Sequence, residues 1–151
     1  MRVVVQRVRY AGVDIPATGY SANIGQGLLV LAAFVDEDTD ADLEWTARKI
    51  AALRIFDDAD GVMNLSVRDT GGDVMVVSQF TLYASTARGN RPSYIKAAKP
   101  DTAVPLYGSF CRKMEDALGR GIARGVFGAD MKVSLLNDGP VTIIIDSKIK
   151  E

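Results

Sequence analysis

The sequence predicts an α/β fold, with mixed, barrel-like β-sheets covered by two helices on one side. Apolar runs rich in β-branched residues, typical of strands, occur near both ends and in the middle of the chain. Two amphipathic segments separate these runs, which predicts helices between strands. The length of 151 residues suffices for one hydrophobic core but not for two ordinary domains. We therefore expect a single domain over residues 1–151.

The first third of the chain predicts two strands and a helix. Residues 2–10 mix β-branched and charged side chains, which favours a strand with one partly solvated face. Residues 12–25 are rich in turn formers and Pro16 limits strand pairing, so we expect irregular geometry instead of a regular hairpin. The apolar run 27–35 predicts a strand buried on both faces. Capping residues then predict a helix from about Asp40 to Leu53.

The rest of the chain predicts an acidic turn, a second helix and three strands. The turn covers residues 57–61, where carboxylates precede a glycine but the downstream glutamate of a Ca²⁺ loop is missing. The second helix begins at Asp101 and ends around Gly119 or Gly121. The predicted strands are 73–83, 131–136 and 141–146.

The composition excludes several classes of function. The chain has no histidine, which rules out Ser-His-Asp and Cys-His catalysis. A single cysteine, Cys111, makes a zinc site implausible, and we expect no metal and no cofactor. A net charge of −1 provides no global attraction for nucleic acid, so any RNA contact must be local and DNA is not an expected partner. No membrane span or signal peptide is recognisable, which favours the cytoplasm.

Polar residues interrupt two of the predicted strands. Ser78-Gln79-Phe80-Thr81 follows the apolar start of strand 73–83, and each polar group left unpaired there would cost about 1 to 3 kcal/mol. Asn137-Asp138-Gly139-Pro140 separates the last two strands. Two interpretations of each interruption are open. The polar side chains face water and the second segment is a hairpin turn, or both segments are aimed at a ligand.

The same two segments carry a resemblance to a known family. Ser78-Gln79-Phe80-Thr81-Leu82, together with Asn137-Asp138-Gly139-Pro140-Val141-Thr142, closely resembles the paired motifs of D-aminoacyl-tRNA deacylases. Further matches run in family order across nearly the whole chain. They are Val5-Gln6-Arg7-Val8, Gly27-Leu28-Leu29-Val30-Leu31, Arg54-Ile55-Phe56, Met63-Asn64-Leu65, Arg88-Gly89-Asn90-Arg91-Pro92-Ser93 and Ala129-Asp130-Met131.

The resemblance implies a homodimer in which Gly139-Pro140, joined by a cis bond, reaches into the partner subunit's pocket and faces the segment from Ser78 to Thr81. It implies hydrolysis of the ester between a D-amino acid and the terminal adenosine of tRNA, with glycyl-tRNA mischarged on tRNA(Ala) as a further substrate. Arg7 would support the Gly-Pro turn through hydrogen bonds. The substrate-binding residues that the resemblance implies are Ser78, Gln79, Phe80, Met131, Asn137, Gly139 and Pro140.

Chirality would then be judged by exclusion. Backbone carbonyls near Gly139 and Pro140 would hold the α-amino group, and their bulk would occupy the space of an L side chain. For catalysis, two hypotheses involve Phe80 and Thr81. Thr81 is the nucleophile, or backbone N–H groups of the two residues stabilise the oxyanion while water or the adenosine 2′-hydroxyl assists. We favour the second, because a threonine hydroxyl without a base is a poor nucleophile.

Other roles are hypotheses with a structural alternative. Phe80 or Phe127 would pack against adenine, or simply belong to the core. A local basic run in a Gly- and Pro-containing loop would contact tRNA phosphates, or remain solvated. It consists of Arg88, Arg91, Lys96 and Lys99. Two other functions are compatible with the sequence. One is a binding module of the same fold that sequesters aminoacyl-adenosine or RNA without hydrolysis, and the other is a relative with a trans Gly-Pro bond and relaxed chirality.

Overall fold

The computed structural model describes all residues from Met1 to Glu151. Its strands are β1 (Arg2–Ile15), β2 (Tyr20–Ile24), β3 (Gly27–Ala33), β4 (Phe56–Asp57), β5 (Met63–Leu65), β6 (Asp73–Ser78), β7 (Ala123–Arg124) and β8 (Lys132–Asp146). Its helices are α1 (Asp40–Ala52), the single turn α2 (Val67–Thr70) and α3 (Pro100–Leu118), and a 3₁₀ turn covers Phe80–Tyr83.

Six strands form one strongly curved sheet. Its order is β2-β1-β3-β6-β7, and β8 pairs with the other edge of β1. β1 is antiparallel to its three neighbours, whereas β3, β6 and β7 are parallel to one another. The Tyr20 hydroxyl on β2 donates to the Arg124 carbonyl on β7 at 2.8 Å, which brings the ends of the sheet together. The barrel-like mixed sheet predicted from the sequence is confirmed.

The two long helices cover one face of this sheet. α1 begins at the Thr39 cap, whose hydroxyl accepts from the Asp42 N–H, and its apolar face buries Leu43, Ala47 and Ile50. α3 ends at Gly119, which adopts a left-handed backbone conformation. The core between helices and sheet contains the fully buried Val3, Val5, Leu28, Val30, Val76, Phe110 and Met114. Both predicted helices are thus confirmed, and none of the helices is long and apolar enough to cross a membrane.

The prediction of irregular geometry over residues 12–25 is wrong. β1 continues to Ile15 and forms a regular antiparallel hairpin with β2, closed by the Ile15–Tyr20 pair. Pro16 lies in the connecting turn, so its missing N–H is not needed by the sheet. The acidic segment 57–61 is part of the β4–β5 turn, where Asp58 accepts from the N–H groups of Asp60 and Val62.

Strand 73–83 is shorter than predicted, because β6 ends at Ser78. The Gln79 N–H still bonds to the Ala32 carbonyl, but its φ and ψ of −146° and 74° turn the chain out of the sheet. The 3₁₀ turn follows at once, with the Leu82 N–H donating to the Gln79 carbonyl. The polar motif therefore does not interrupt a buried strand; it begins where the strand stops.

The two C-terminal strands predicted as a flanking pair are a single strand, β8. Residues on both sides of Asn137-Asp138-Gly139-Pro140 pair with β1 in the same direction, so the chain does not reverse there. Between the Gln6–Thr142 pair and the Tyr10–Leu136 pair, β8 contains two residues more than β1. The extra residues form a bulge. The hairpin interpretation of this segment is therefore wrong.

Candidate active site

A cavity of about 600 Å³ opens where β6 ends. Its walls come from the end of β6, the segment that leads into α3, and the loop between β7 and β8. Four of the residues predicted to bind substrate lie in these walls, namely Ser78, Gln79, Phe80 and Met131. The other lining residues are Val77, Tyr94, Ala97, Ala98, Lys99, Pro100, Phe127, Gly128, Ala129, Asp130 and Val133.

Aromatic rings form one side of the cavity. Phe80 is 50% exposed and meets Tyr94, which is 40% exposed, edge to face with ring centroids 5.1 Å apart. Rings so exposed beside a cavity are available for stacking on a flat ligand. Sequence reasoning did not select Tyr94, although it directly follows the motif that ends at Ser93.

A buried tyrosine holds the opposite wall in place. The Tyr107 hydroxyl of α3 lies 2.9 Å from the carbonyl oxygens of both Val76 and Gly125, and burial raises its pKa. Its ring packs against Phe127 with centroids 6.1 Å apart. The wall that carries Phe127 is thereby fixed to β6. The neighbouring Cys111 is fully buried, and burial raises its pKa to about 11, so this thiol is a packing residue.

Thr81 lies in the 3₁₀ turn and is not among the lining residues. Its hydroxyl accepts a hydrogen bond of 2.5 Å from the Gln79 side-chain amide, which is not a base. The N–H groups of Phe80 and Thr81 open the turn and have no acceptor within it. The cavity is therefore bordered by unused backbone donors, while the threonine has no proton acceptor to activate it.

The bulge of β8 forms a second cluster, remote from the cavity walls. Gly139 and Pro140 are exposed, and the peptide bond between them is cis. Asn137 stabilises the bulge from within, because its side-chain oxygen accepts from the Val141 N–H at 3.0 Å. Its amide nitrogen donates to the Thr142 hydroxyl at 3.1 Å.

Arg7 supports the bulge from β1. Its Nε donates to the Asp138 carbonyl at 2.9 Å and its Nη1 donates to the Ile55 carbonyl at 2.7 Å. The side chain is 9% exposed, which is rare for arginine unless its donors are satisfied. The guanidinium thus ties the bulge to the segment that follows α1. Ile55 is the partner that sequence reasoning missed, because only the fold brings it to Arg7.

The bulge and the cavity of one chain lie far apart in the sheet. β1 and β3 separate β8 from β6, so three interstrand spacings of about 4.8 Å lie between them. Along the strands, the bulge is level with Val74, at the start of β6, while Ser78 lies at its end. Neither Gly139 nor Pro140 lines the cavity. A single chain therefore does not combine the two predicted parts of the site.

The predicted basic run is split by the fold. Arg88 and Arg91 are exposed in a loop that the Ser85–Ser93 bridge closes, and Lys99 lines the cavity. Lys96 lies on a smaller pocket beside Arg2 and Tyr83. No group of three or more Asp, Glu, Cys or His side chains is arranged to hold a metal ion.

Comparison with known proteins identifies the family. The model of the D-Tyr-tRNA(Tyr) deacylase family matches residues 4–146. The chain belongs to this family. The deacylase is 60% identical to the D-aminoacyl-tRNA deacylase of Parabacteroides distasonis and 57% identical to that of Bacteroides thetaiotaomicron, in both cases over the full length of both chains. It is therefore a D-aminoacyl-tRNA deacylase, a hydrolase.

Two solved structures resemble the deacylase. One is the c-Myc DNA unwinding element binding protein, with a TM-score of 0.88 and 39% identity over 97% of this chain and 98% of that chain. The other is a probable eukaryotic D-amino acid tRNA deacylase, with a TM-score of 0.82 and 19% identity over 95% of this chain and 97% of that chain. The second similarity shows that the deacylase shares its fold.

Proposed function

We propose that two copies of the chain form a homodimer in which each Gly139-Pro140 bulge enters the cavity of the partner and rejects L-amino acids. The enzyme would then hydrolyse D-aminoacyl-tRNA and also glycyl-tRNA, including glycine mischarged on tRNA(Ala), and act in the cytoplasm. The remaining cavity residues, Ser78, Gln79, Phe80 and Met131, would bind the aminoacyl-adenosine end.

One observation carries this proposal. The bulge is exposed, firmly held by Arg7 and Asn137, and about three strand spacings away from its own cavity. A cluster so well fixed and yet directed at solvent is typical of a surface that contacts another molecule. The outward side chains of β8 support a protein partner, since Val133, Leu136 and Ile144 are exposed apolar residues on a strand paired along one edge only.

The sorting of chirality follows from what a backbone can offer. Carbonyl oxygens at the bulge are acceptors for the substrate's α-ammonium group, and the main chain beside them leaves no room for an L side chain. A D side chain would point to solvent, so D-amino acids of different sizes should be accepted. Glycine has no side chain to clash, so glycyl-tRNA cannot be refused by this means.

Hydrolysis would depend on positioning and on oxyanion stabilisation. The unused N–H groups of Phe80 and Thr81 are suitable donors for the developing oxyanion. The attacking group would be water, assisted by the adenosine 2′-hydroxyl, because no histidine is present and Thr81 has no base beside it. An aminoacyl ester is labile, so correct placement supplies much of the rate.

The decisive experiment compares the hydrolysis of D-tyrosyl-tRNA and L-tyrosyl-tRNA by the purified protein. We expect turnover of the D ester and at least about 100-fold slower turnover of the L ester, since refusal of a side chain leaves the ester misplaced. Several other D-aminoacyl-tRNAs and glycyl-tRNA should be hydrolysed as well. Comparable turnover of the L ester would refute steric exclusion, and binding without turnover of either ester would favour the non-catalytic binding module.

Replacing Thr81 with valine tests the catalytic proposal. Valine keeps the shape of threonine but removes the hydroxyl, while the backbone N–H groups remain in place. We expect turnover to fall by less than about tenfold, because only the hydrogen bond from Gln79 is lost. Single-turnover measurements of kcat with D-tyrosyl-tRNA provide the readout. Complete loss of turnover with intact binding would identify Thr81 as the nucleophile.

A further inference from the structure

A second groove lies on the outer face of α1. Its volume is also about 600 Å³, and it has no residue in common with the cavity at the end of β6. We call it the Trp45 groove, after the only tryptophan of the chain. It is lined by Ala41, Glu44, Trp45, Arg48, Lys49, Ala52, Leu53 and Arg54.

The indole of Trp45 is only partly buried. One side of it packs against the main core, as part of the shell around the buried residues. Ala41 and Ala52 lie on the same face of α1, four residues before and seven residues after Trp45. Because both side chains are small, they leave the outer part of the ring uncovered. The groove therefore offers an open aromatic surface.

Positive charges surround this aromatic surface. The ammonium groups of Lys49 and Lys150 lie 5.7 Å and 4.6 Å from the centroid of the indole ring. Arg48 and Arg54 are exposed in the same groove, which contains a single carboxylate, that of Glu44, paired with Arg48 at 2.5 Å. In a chain with a net charge of −1, four cations beside one carboxylate form a marked local excess.

We propose that the Trp45 groove binds the sugar-phosphate backbone of the tRNA body while the 3′ end occupies the cavity. The lysines and arginines would contact phosphates, and the indole would pack against a ribose. This proposal rests on the proposed function, since it assigns a second contact to the same substrate. It differs from the basic loop at Arg88 and Arg91, which lies beside the cavity.

The positions of the two surfaces support simultaneous contact. β6 enters the cavity at Ser78, which pairs with Ala32 of β3. One residue further, Ala33 pairs with Arg2, and Arg2 pairs with Asp146 at the end of β8. The chain then continues to Lys148, which binds Asp42 of α1 at 2.6 Å, and to Lys150 above Trp45. Cavity and groove therefore lie at the same end of the sheet, within reach of one large RNA.

Because Trp45 is the only tryptophan, its fluorescence reports on the groove alone. We expect deacylated tRNA to change the emission of the wild-type protein, and the change to disappear as salt is raised. A CCA trinucleotide, which is long enough for the cavity only, should leave the emission unchanged. An equal response to CCA, no response to tRNA, or a response to anionic lipid vesicles but not to tRNA would overturn the proposal.

Kinetics with a double variant, Lys49→Ala with Lys150→Ala, test whether the groove matters for the reaction. We expect KM for D-tyrosyl-tRNA to rise about tenfold with unchanged kcat, and the salt dependence of binding to weaken by about two counterions. Hydrolysis of D-tyrosyl-CCA should not change. Arg112→Ala, which removes an exposed charge of α3 outside the groove, is the matched control and should leave both substrates unaffected.

The two proposals fail in different ways. If the wild-type protein hydrolyses neither substrate, the proposed function fails, while the fluorescence titration with deacylated tRNA still tests the groove. If both substrates are hydrolysed but the double variant matches the wild type with D-tyrosyl-tRNA, only the groove proposal is refuted. An equal loss with D-tyrosyl-CCA would also refute it, because the lysines would then act on the cavity.

Discussion

Replacing Gly139 with alanine is expected to lower the turnover of D-tyrosyl-tRNA by about 100-fold, the cost of displacing a positioning group by roughly 1 Å. Gly139 has φ of 136°, a conformation that L-residues with a side chain rarely adopt. A Cβ there would lie 2.8 Å from Cγ2 of Val141 and 3.0 Å from Nη2 of Arg7. Since Arg7 is held by two carbonyl groups, the bulge itself must move.

The matched control for this variant is Gly19→Ala. Gly19 also has a positive φ, 72°, but it lies in the β1–β2 turn, where a Cβ would have no neighbour within 4 Å. Both variants should lose a similar free energy of unfolding, of order 1–3 kcal/mol. Only Gly139→Ala should lose activity in initial-rate assays. Equal activity of the two variants would mean that the bulge has no part in substrate binding.

Mixing two defective variants shows which chain supplies the bulge. A second variant, Ala129→Trp, fills the cavity with a large side chain but leaves the bulge intact. In a mixed dimer with Gly139→Ala, one site would combine an intact cavity with the partner's intact bulge. Random mixing should therefore restore about a quarter of the wild-type sites. No recovery, with mixed dimers demonstrated by mass spectrometry, would contradict the exchange of bulges between subunits.

Local signals predicted much of this fold. Thr39 and the acidic first turn indicated the start of α1, and the left-handed Gly119 indicated the end of α3, because caps act over a few residues. The buried run in β3 was recognisable because a central parallel strand is apolar on both faces. Four cavity residues were found through the family resemblance, which marks residues that the physics of one strand would not select.

The errors have one origin, the pairing of distant segments. Asn-Asp-Gly-Pro is compatible with a hairpin and with a bulge, and only the register against β1 distinguishes them. The hairpin at Pro16 was missed because a proline in the turn leaves the ladder intact. Likewise, Tyr94 and Ile55 enter the site through contacts with Phe80 and Arg7 that no local pattern encodes.

The parallel pairing of β3 with β6 positions the cavity, and Gly27→Ala tests it. Gly27 pairs with Asp73, and a Cβ on Gly27 would lie 1.8 Å from the Asp73 carbonyl oxygen and 2.7 Å from its backbone N and C atoms. Because both partners are main-chain atoms within a sheet, the strands would have to separate. We expect a loss of at least about 4 kcal/mol in the free energy of unfolding, measured by urea denaturation.

Gly25→Ala, two residues earlier, is the matched control for Gly27→Ala. A Cβ at Gly25 would have no neighbour within 4 Å and its φ lies outside the left-handed region, so its stability should change by less than about 0.5 kcal/mol. The register that brings Gly27 against Asp73 also sets Ala32 beside Ser78, at the edge of the cavity. If both variants unfold at the same urea concentration, this register is wrong, and the cavity wall built on Ser78 and Phe80 is wrong with it.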